Sequence, residues 1–287
     1  MTATNAPLGI TLLVTAMFFN STKDGIAKLL AAQYPPFMLL WSQFLFMVLI
    51  LALIIIKRHG VLYLLPKNYF AQMMRGFCVT VGVGLYYWAI NFIHIADATA
   101  MVFVAPLVVT ALSPVFLGEH LGMRRTIAVI IGFIGVLVIL QPDLEGDRQG
   151  YFIALASGVF LGFFYMSNRK LADGTPHVAS SYYTALTGAV ILIPFVPFFW
   201  TQPRLTDFTP LIAFMSLATV GQVLMVASFA YASANIIAPF VYAQIIAATA
   251  VGMIMFDAFP DGVTCLGITI VIAAGLYIAV RESRIGS

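Results

Sequence analysis

The sequence predicts an all-α integral membrane protein with ten transmembrane helices, arranged as two inverted five-helix repeats. Three observations predict this fold: the chain is poor in charge, its apolar stretches match the bilayer in length, and its two halves resemble each other. Of the 287 residues, 62% are hydrophobic and only 9% are charged. A soluble domain usually carries about 25% charged residues. A globule of this composition would expose large apolar patches to water, whereas a lipid solvent removes that conflict.

The apolar stretches are each about 20 residues long, which is the length that a helix needs to cross the hydrocarbon core. We predict ten spans, at residues 8–31, 36–56, 71–93, 97–117, 126–141, 150–170, 179–199, 209–232, 235–256 and 262–280. Runs such as 44–56 are continuously apolar and lack the alternation of a membrane β-strand, so helices are favoured. The first span lacks a basic start and an obvious small-residue cleavage site, which argues against a removed signal peptide.

The lysine and arginine residues predict the orientation, because these residues collect in cytoplasmic loops. With the N-terminus inside and ten crossings, most of the 14 basic residues lie on the cytoplasmic side: Lys57, Arg58, Lys67, Arg75, Arg124, Arg125, Arg169, Lys170, Arg281 and Arg284. Arg148 and Arg204 lie outside, while Lys23 and Lys28 lie within the first span. We therefore expect a protein of the cell (inner) membrane with both termini in the cytoplasm. The net charge of +3 then reflects topology and requires no nucleic-acid partner.

The chain also resembles itself. A shift of 141 residues places Gly9 on Gly150, Lys28 on Arg169, and Pro35 on Pro176. The predicted repeats are residues 1–141 and 142–287, with five helices each. Because five is an odd number of crossings, the second repeat starts from the opposite side of the membrane and is inverted relative to the first.

Inverted repeats predict a function, because two such units can rock against each other and expose a central site to either side in turn. This layout favours a secondary transporter that works by alternating access. An intramembrane enzyme would need catalytic groups clustered at one depth, and a channel would need one continuous polar pathway. The expected cargo is a small polar metabolite, such as an amino acid or a related compound. A vitamin, a nucleoside or an S-adenosylmethionine-like compound is the alternative.

Three segments of the first half carry a family signature: residues 96–107 (ADATAMVFVAPL), 117–119 (LGE) and 131–136 (IGFIGV). With a weaker copy in the second half, around Asn235, Gln244 and Asp257, they resemble the drug/metabolite transporter superfamily, EamA type. The resemblance implies ten helices in two inverted repeats and both termini in the cytoplasm. It also implies a central cavity lined mainly by helices 1, 3, 4, 6, 8 and 9, with cargoes that include amino acids, nucleotide sugars and vitamins.

Charged residues inside a span are costly and tend to face a water-filled cavity or a partner. In the first span Asn20, Lys23 and Asp24 can share one helix face with Lys28. We predict that Asn20, Lys23 and Asp24 contact the substrate, with Lys23 or Lys28 meeting a carboxylate or phosphate and Asp24 meeting an amine or carrying a proton. The alternative is that Asp24 pairs with Lys28 while Lys28 extends towards the outer interface.

Polar residues in three other spans complete the predicted site. Tyr86 and Asn91 lie in the third span, where Tyr86 could cradle a ring or a cation or serve only in packing. Gln222 and Gln244 lie well inside the eighth and ninth spans, where an unpaired amide is expensive. Both are predicted to contact the substrate, with hydrogen bonding between helices as the alternative.

The sequence contains no recognisable motif for catalysis, phosphate binding or metal binding. We therefore expect a protein that is not an enzyme, with no catalytic residues, no cofactor and no metal site. The expected partners are a small-molecule substrate and the lipid bilayer, with proton coupling through Asp24 left open.

Overall fold

The structure is a computed structural model that describes residues 5–66, 68–93, 95–118, 122–141, 147–172, 175–257 and 259–285, without the side chains of 95–97, 125, 235 and 278–285. The described residues form ten helical rods. They are α1 Ala6–Leu30, α2 Pro36–Arg58, α3 Tyr69–Ala89, α4 (Ile95–Val102 and Ala105–Leu117), α5 Met123–Leu140, α6 Arg148–Lys170, α7 (His177–Leu192, Ile193–Phe195 and Val196–Phe199), α8 Phe208–Tyr231, α9 (Ala234–Ile237, Ala238–Tyr242 and Ala243–Phe256) and α10 Gly262–Ile285. Short 3-10 turns, Val61–Leu64 and Leu205–Asp207, precede α3 and α8. Of the residues with the family signature, Glu119 lies outside the described part, as do the side chains of Asp97 and Asn235.

Length and composition allow most of these helices to cross a membrane, which confirms the predicted all-α membrane fold. Six are long and apolar enough by these two criteria: Pro36–Arg58, Ala98–Leu117, Arg148–Lys170, His177–Phe199, Leu205–Tyr231 and Ala238–Phe256. Two further apolar helices, Thr126–Leu140 and Gly262–Tyr277, are shorter. The remaining two, α1 and α3, have 25 and 21 residues and carry more polar side chains. Each predicted span overlaps one rod.

Local sequence explains where several helices begin. The backbone N–H of Leu8 donates to Asn5 Oδ1 at 3.1 Å, so Asn5 caps α1. The backbone N–H of Gln149 donates to Asp147 Oδ1 at 3.0 Å, so Asp147 caps α6 at the equivalent place in the second half. Such caps satisfy backbone donors that a helix leaves free at its first turn.

The fourth helix of each half is interrupted near a proline. In α4 the helix breaks at Phe103 and Val104, just before Pro106, and in α9 the segment Ala238–Tyr242, which contains Pro239, is a 3-10 helix. Proline lacks a backbone N–H and its ring clashes with the preceding turn, so α-helix is disfavoured around it.

The helix pairs that pack together are related by exchanging the two halves. Helix α1 packs along α8, and α3 packs along α6. Each helix of one half has a counterpart five positions away in the order of the helices. Replacing α1 and α8 by their counterparts gives α6 and α3, so each of these pairs becomes the other. The same exchange relates α1–α9 to α6–α4 and α3–α7 to α8–α2, while α2–α7 and α5–α10 map onto themselves. Most of this packing joins one half to the other. The structure therefore has the two-repeat architecture expected from the sequence.

Glycine allows a close approach of the two backbones at the α5–α10 pair. A Cβ added to Gly267 would lie 2.8 Å from the carbonyl oxygen of Gly135, and one added to Gly135 would lie 3.1 Å from that of Gly267. Small residues let membrane helices approach backbone to backbone, where dispersion forces hold them together.

The largest apolar core lies in one half of the membrane thickness, on the side where α1 begins. We call this the terminal side. The core joins α1, α4, α6, α8 and α9 through buried side chains that include Leu13, Met17, Val109, Phe164, Phe229 and Phe240. This core packs the central helices together on the terminal side.

Candidate functional site

One face of α1 is buried in the apolar core in the first part of the helix and exposed further along it. Leu13, Met17 and Asp24 lie on this face at helical spacing, and Leu13 and Met17 are fully buried. Asp24, nearer the opposite side of the membrane, has 49% of its side chain exposed. Phe18 and Leu29 are exposed on the other side of α1, which marks the lipid-facing surface. Because Asp24 points away from that surface, its exposed part faces the space between the helices near the side opposite to the terminal side, and we call this space the vestibule.

The vestibule holds an ion pair between neighbours in the chain. Lys23 Nζ lies 2.5 Å from Asp24 Oδ1. Lys23 Nζ also lies 5.9 Å from the centre of the Phe214 ring on α8. Lys28 Nζ lies instead 4.3 Å from the centre of the Phe256 ring on α9. The alternative, in which Asp24 pairs with Lys28, is therefore wrong for this structure, because Asp24 pairs with Lys23.

Aromatic hydroxyl groups of α3 face the ion pair across the vestibule. The hydroxyls of Tyr86 and Tyr87 are largely removed from water and lie within electrostatic range of the Asp24 carboxylate. Helix α1 packs on α8 and α9, whereas α3 packs on α6 and α7, so this interaction crosses the space between helices. The Tyr86 hydroxyl also lies 3.2 Å from Thr99 Oγ1 of α4, which orients the ring.

Polar groups lie below the ion pair, near the middle of the membrane. The Asn20 side chain fills the space over Gly221, where an added Cβ would lie 2.7 Å from Asn20 Oδ1. Ser21 Oγ donates to the carbonyl oxygen of Gln244 at 3.0 Å, joining α1 to α9. Among the described residues, Gln222 Nε2 on α8 is buried and has no hydrogen-bond partner.

The predicted site residues thus lie in three places. Lys23, Asp24 and Tyr86 share the vestibule, while Asn20, Gln222 and Gln244 lie on the helices that surround its floor. Asn91 lies apart, exposed just beyond the end of α3, where its Nδ2 donates at 3.0 Å to the carbonyls of Tyr87 and Trp88. Substrate contact by these seven residues stays a prediction.

A stacked pair of aromatic rings joins α6 to α8 nearer the terminal side. The rings of Tyr165 on α6 and Phe229 on α8 stack with centroids 5.9 Å apart and an angle of 15° between their planes. An Arg169 guanidinium nitrogen donates to the carbonyl oxygen of Phe229 at 3.2 Å. Both rings belong to the large apolar core on the terminal side.

Arg75 has surroundings that the sequence did not predict. It was expected as an interfacial topology residue, but it is fully buried. Its guanidinium donates to the side-chain hydroxyl and the backbone carbonyl of Ser180 on α7, and its Nε has no partner among the described residues. Gln72, one turn earlier, is also buried and its Oε1 is unpartnered within the same part of the chain. The i, i+3 spacing of these two residues was the signal in the sequence that they share a face.

Known proteins resemble this chain over nearly its whole length. The model of the EamA-like transporter family matches twice, at residues 7–141 and 148–280. An S-adenosylmethionine uptake transporter from Rickettsia bellii (strain RML369-C) is 23% identical over 96% of this chain and 95% of the relative.

Two other relatives are named for different cargoes. A riboflavin transporter from Vibrio cholerae serotype O1 is 25% identical over 74% of this chain and 72% of the relative. The pseudopaline exporter CntI from Pseudomonas aeruginosa is 24% identical over 93% of this chain and 94% of the relative.

A crystal structure at 17% sequence identity superposes with a TM-score of 0.79 and covers 97% of this chain and 99% of the other. At that identity the likeness shows the fold alone. The family match covers both halves of the chain, and its two copies begin 141 residues apart. The protein belongs to the EamA-like transporter family and is a multi-pass membrane protein related to metabolite transporters.

Proposed function

We propose that this protein is a secondary transporter that moves a small polar metabolite with an amino-acid head group by alternating access. The observation that carries the proposal is the Lys23–Asp24 pair, which offers one cation and one anion to the same vestibule. An amino-acid head group presents a carboxylate and an ammonium a few atoms apart. Binding would exchange one internal ion pair for two charge-assisted contacts to the substrate.

The neighbouring aromatic groups support a cargo with more than a head group. Tyr86 and Tyr87 lie across the vestibule from Asp24, and an aromatic face attracts a cation or stacks on a flat ring. A free amino acid would leave much of this surface unused. An S-adenosylmethionine-like compound, with an amino-acid head, a sulfonium cation and a flat base, would use both parts. The relatives named as S-adenosylmethionine uptake transporters favour this second candidate.

The exchange symmetry of the helix pairs supports alternating access. The exposure of Asp24 and the burial of Tyr165 support a site that is reached from one side of the membrane at a time. Because the halves are inverted repeats, exchanging their conformations would open the terminal side and close the vestibule. The proposed repeats are residues 1–141 and 142–287.

The proposed location is the cell (inner) membrane, with both termini and the terminal side in the cytoplasm. The basic loop residues support this orientation. Fluorescent or epitope tags at the two ends should both report from the cytoplasm. Ends on opposite faces would contradict the even number of crossings.

Uptake into proteoliposomes tests the cargo. The panel contains amino acids, S-adenosylmethionine, riboflavin and nucleosides, each as a radiolabelled compound, and empty liposomes are the control. We expect uptake of S-adenosylmethionine or of amino acids, with mutual competition because both carry the same head group. Uptake of riboflavin or nucleosides alone would overturn the head-group assignment and favour a vitamin or nucleoside transporter.

A further inference from the structure

A groove runs between α5 and α10 near the terminal side of the membrane. Its volume is about 280 Å³, and its walls include Arg124 and Ile131 of α5 and Tyr277 of α10. Helix α5 begins on the terminal side because four crossings precede it, and Arg124 is its second residue. Ile131 lies seven residues later, roughly 10 Å further along the helix. The groove therefore extends from the membrane interface into the hydrocarbon region.

The groove lies on the lipid-facing surface of the two helices. Ile127, Ile131 and Tyr277, which line it, are each close to half exposed. The opposite faces of the same helices carry Val129 and Val271, which are buried in an apolar cluster with α9. A molecule in the groove would thus enter from the bilayer and would not need to pass between the helices.

Small side chains leave this space between the helices open. Further along the pair, Gly135 and Gly267 bring the two backbones together. The walls nearer the terminal side include Ala128, Ala273 and Ala274, whose methyl groups are too short to fill the groove. An apolar gap without contacting atoms loses dispersion energy. At this depth a hydrocarbon chain is the occupant that restores those contacts.

The charge at the mouth of the groove favours an anion. Arg124 is exposed there, and among the ion pairs of the described residues it takes part in none. The residue before α5 is Gly122, so no side chain caps the first turn and its backbone N–H groups add the positive end of the helix dipole. Tyr277 belongs to a residue type that is enriched at the level of lipid head groups.

We propose that this groove binds one anionic phospholipid, with its phosphate at Arg124 and the start of α5 and one acyl chain along Ile127 and Ile131. A guanidinium can donate two parallel hydrogen bonds to a phosphate. Basic pockets between transmembrane helices at the cytoplasmic side suit anionic head groups. Because the groove lies outside the helix bundle, the proposal does not depend on the cargo or on transport.

Native mass spectrometry of the full-length protein in detergent measures the binding. The probes are phosphatidylglycerol and phosphatidylcholine with the same acyl chains, and glycerol 3-phosphate as a head group without chains. We expect one phosphatidylglycerol to bind about fivefold more tightly than phosphatidylcholine, the equivalent of about 1 kcal/mol for one basic residue near the membrane surface. Equal binding of the two lipids, or equally tight binding of glycerol 3-phosphate, would overturn the proposal.

Arg124→Gln removes the charge at the mouth of the groove. It should weaken phosphatidylglycerol binding about fivefold and leave phosphatidylcholine binding unchanged. Arg58→Gln is the matched control, because Arg58 is exposed on the same side of the membrane at the end of α2, which packs on α7 and α8. Equal weakening by both changes would indicate a general effect of positive charge and refute the site.

Ala273→Phe tests the acyl part of the site while the charge is retained. Ala273 is an exposed residue of the groove wall, so a phenyl ring there fills the groove and leaves the core intact. It should remove the preference for phosphatidylglycerol. Ile272→Phe places a ring at the next exposed position and should preserve the preference. A preference that survives Ala273→Phe would show that the lipid binds elsewhere.

A second copy of the chain is the other occupant for such a surface, and the same spectra report it. A dimer without bound phospholipid that Ala273→Phe converts to a monomer would overturn the lipid site and assign the groove to a protein interface. Thermal unfolding gives an independent readout, because a ligand that binds only the folded protein stabilises it. Phosphatidylglycerol should raise the unfolding temperature of the wild type more than that of Arg124→Gln, and equal rises would contradict the site.

Discussion

At the scale of single residues, the Lys23–Asp24 pair places two charges inside the transmembrane helix α1. Two adjacent charges within a transmembrane helix are unfavourable unless water or a partner compensates them. The pair has both, because its groups are 2.5 Å apart and Asp24 is half exposed. A sequence can identify such charges, but it could not choose between Lys23 and Lys28 as the partner of Asp24. That choice depends on Phe256 of α9, which attracts the Lys28 ammonium.

Neutralising either charge should weaken substrate binding. Lys23→Ala and Asp24→Asn should each raise the KM for uptake about tenfold or more, since a hydrogen bond to a charged group contributes about 1.5–3 kcal/mol. Lys28→Ala is the matched control and should keep the KM within about twofold, because its charge lies against Phe256. Equal effects of all three changes would point to a general electrostatic role instead.

Arg75 shows what a residue-level reading misses. A lone arginine near the end of a predicted span is read as interfacial, and only the packing of α7 on α3 buries it against Ser180. Its planar guanidinium reaches the hydroxyl and the carbonyl of one residue, which a lysine ammonium cannot match.

Arg75→Lys should therefore destabilise the protein by about 2 kcal/mol, as expected for loss of a hydrogen bond to a charged group. Thermal unfolding in detergent measures this effect. Arg58→Lys, at an exposed helix end, is the control and should leave the unfolding temperature unchanged. An unchanged unfolding temperature for Arg75→Lys would show that the two bonds to Ser180 contribute little.

At the scale of helices, the amino-acid composition predicts which segments form helices better than it predicts where each helix ends. The third span was predicted to reach residue 93, but α3 ends at Ala89. Asn91 explains the earlier end, because its side chain donates to the carbonyls of Tyr87 and Trp88 at the helix end. The interruptions of α4 and α9 are likewise invisible to a hydropathy profile, since they arise from backbone geometry near Pro106 and Pro239.

The start of α10 provides a pH-dependent test of a helix cap. The backbone N–H of Thr264 donates to Asp261 Oδ1 at 2.7 Å, and this bond lowers the pKa of Asp261 below its usual 3.8. A carboxyl group with a lowered pKa stabilises the fold above its unfolded pKa and loses this effect as pH falls through the folded one.

Asp261→Ala should thus lower the unfolding temperature at pH 7, and the difference from wild type should shrink as the solution is acidified below about pH 4. Asp261→Asn keeps an acceptor and should retain most of the stability at pH 7. A difference that persists undiminished in acid would show that the carboxylate charge has no part in the cap.

At the scale of the whole molecule, the repeat in the sequence anticipates the exchange symmetry of the helix pairs. The matches of Gly9 with Gly150 and of Lys28 with Arg169 share one offset, and the two family matches begin at the same offset. The sequence could not predict that Asp24 is half exposed while Tyr165, at the same offset in the second half, is buried. A chain that works by alternating access must encode both states of its cycle.

Counterflow measures alternating access most directly. Proteoliposomes are loaded with unlabelled S-adenosylmethionine, or with whichever panel compound the protein takes up, and a trace of the radiolabelled compound is added outside. A carrier that exposes its site to one side at a time predicts a transient overshoot of label inside, and the overshoot should be smaller in Asp24→Asn. Simple equilibration without an overshoot would contradict alternating access and indicate a channel.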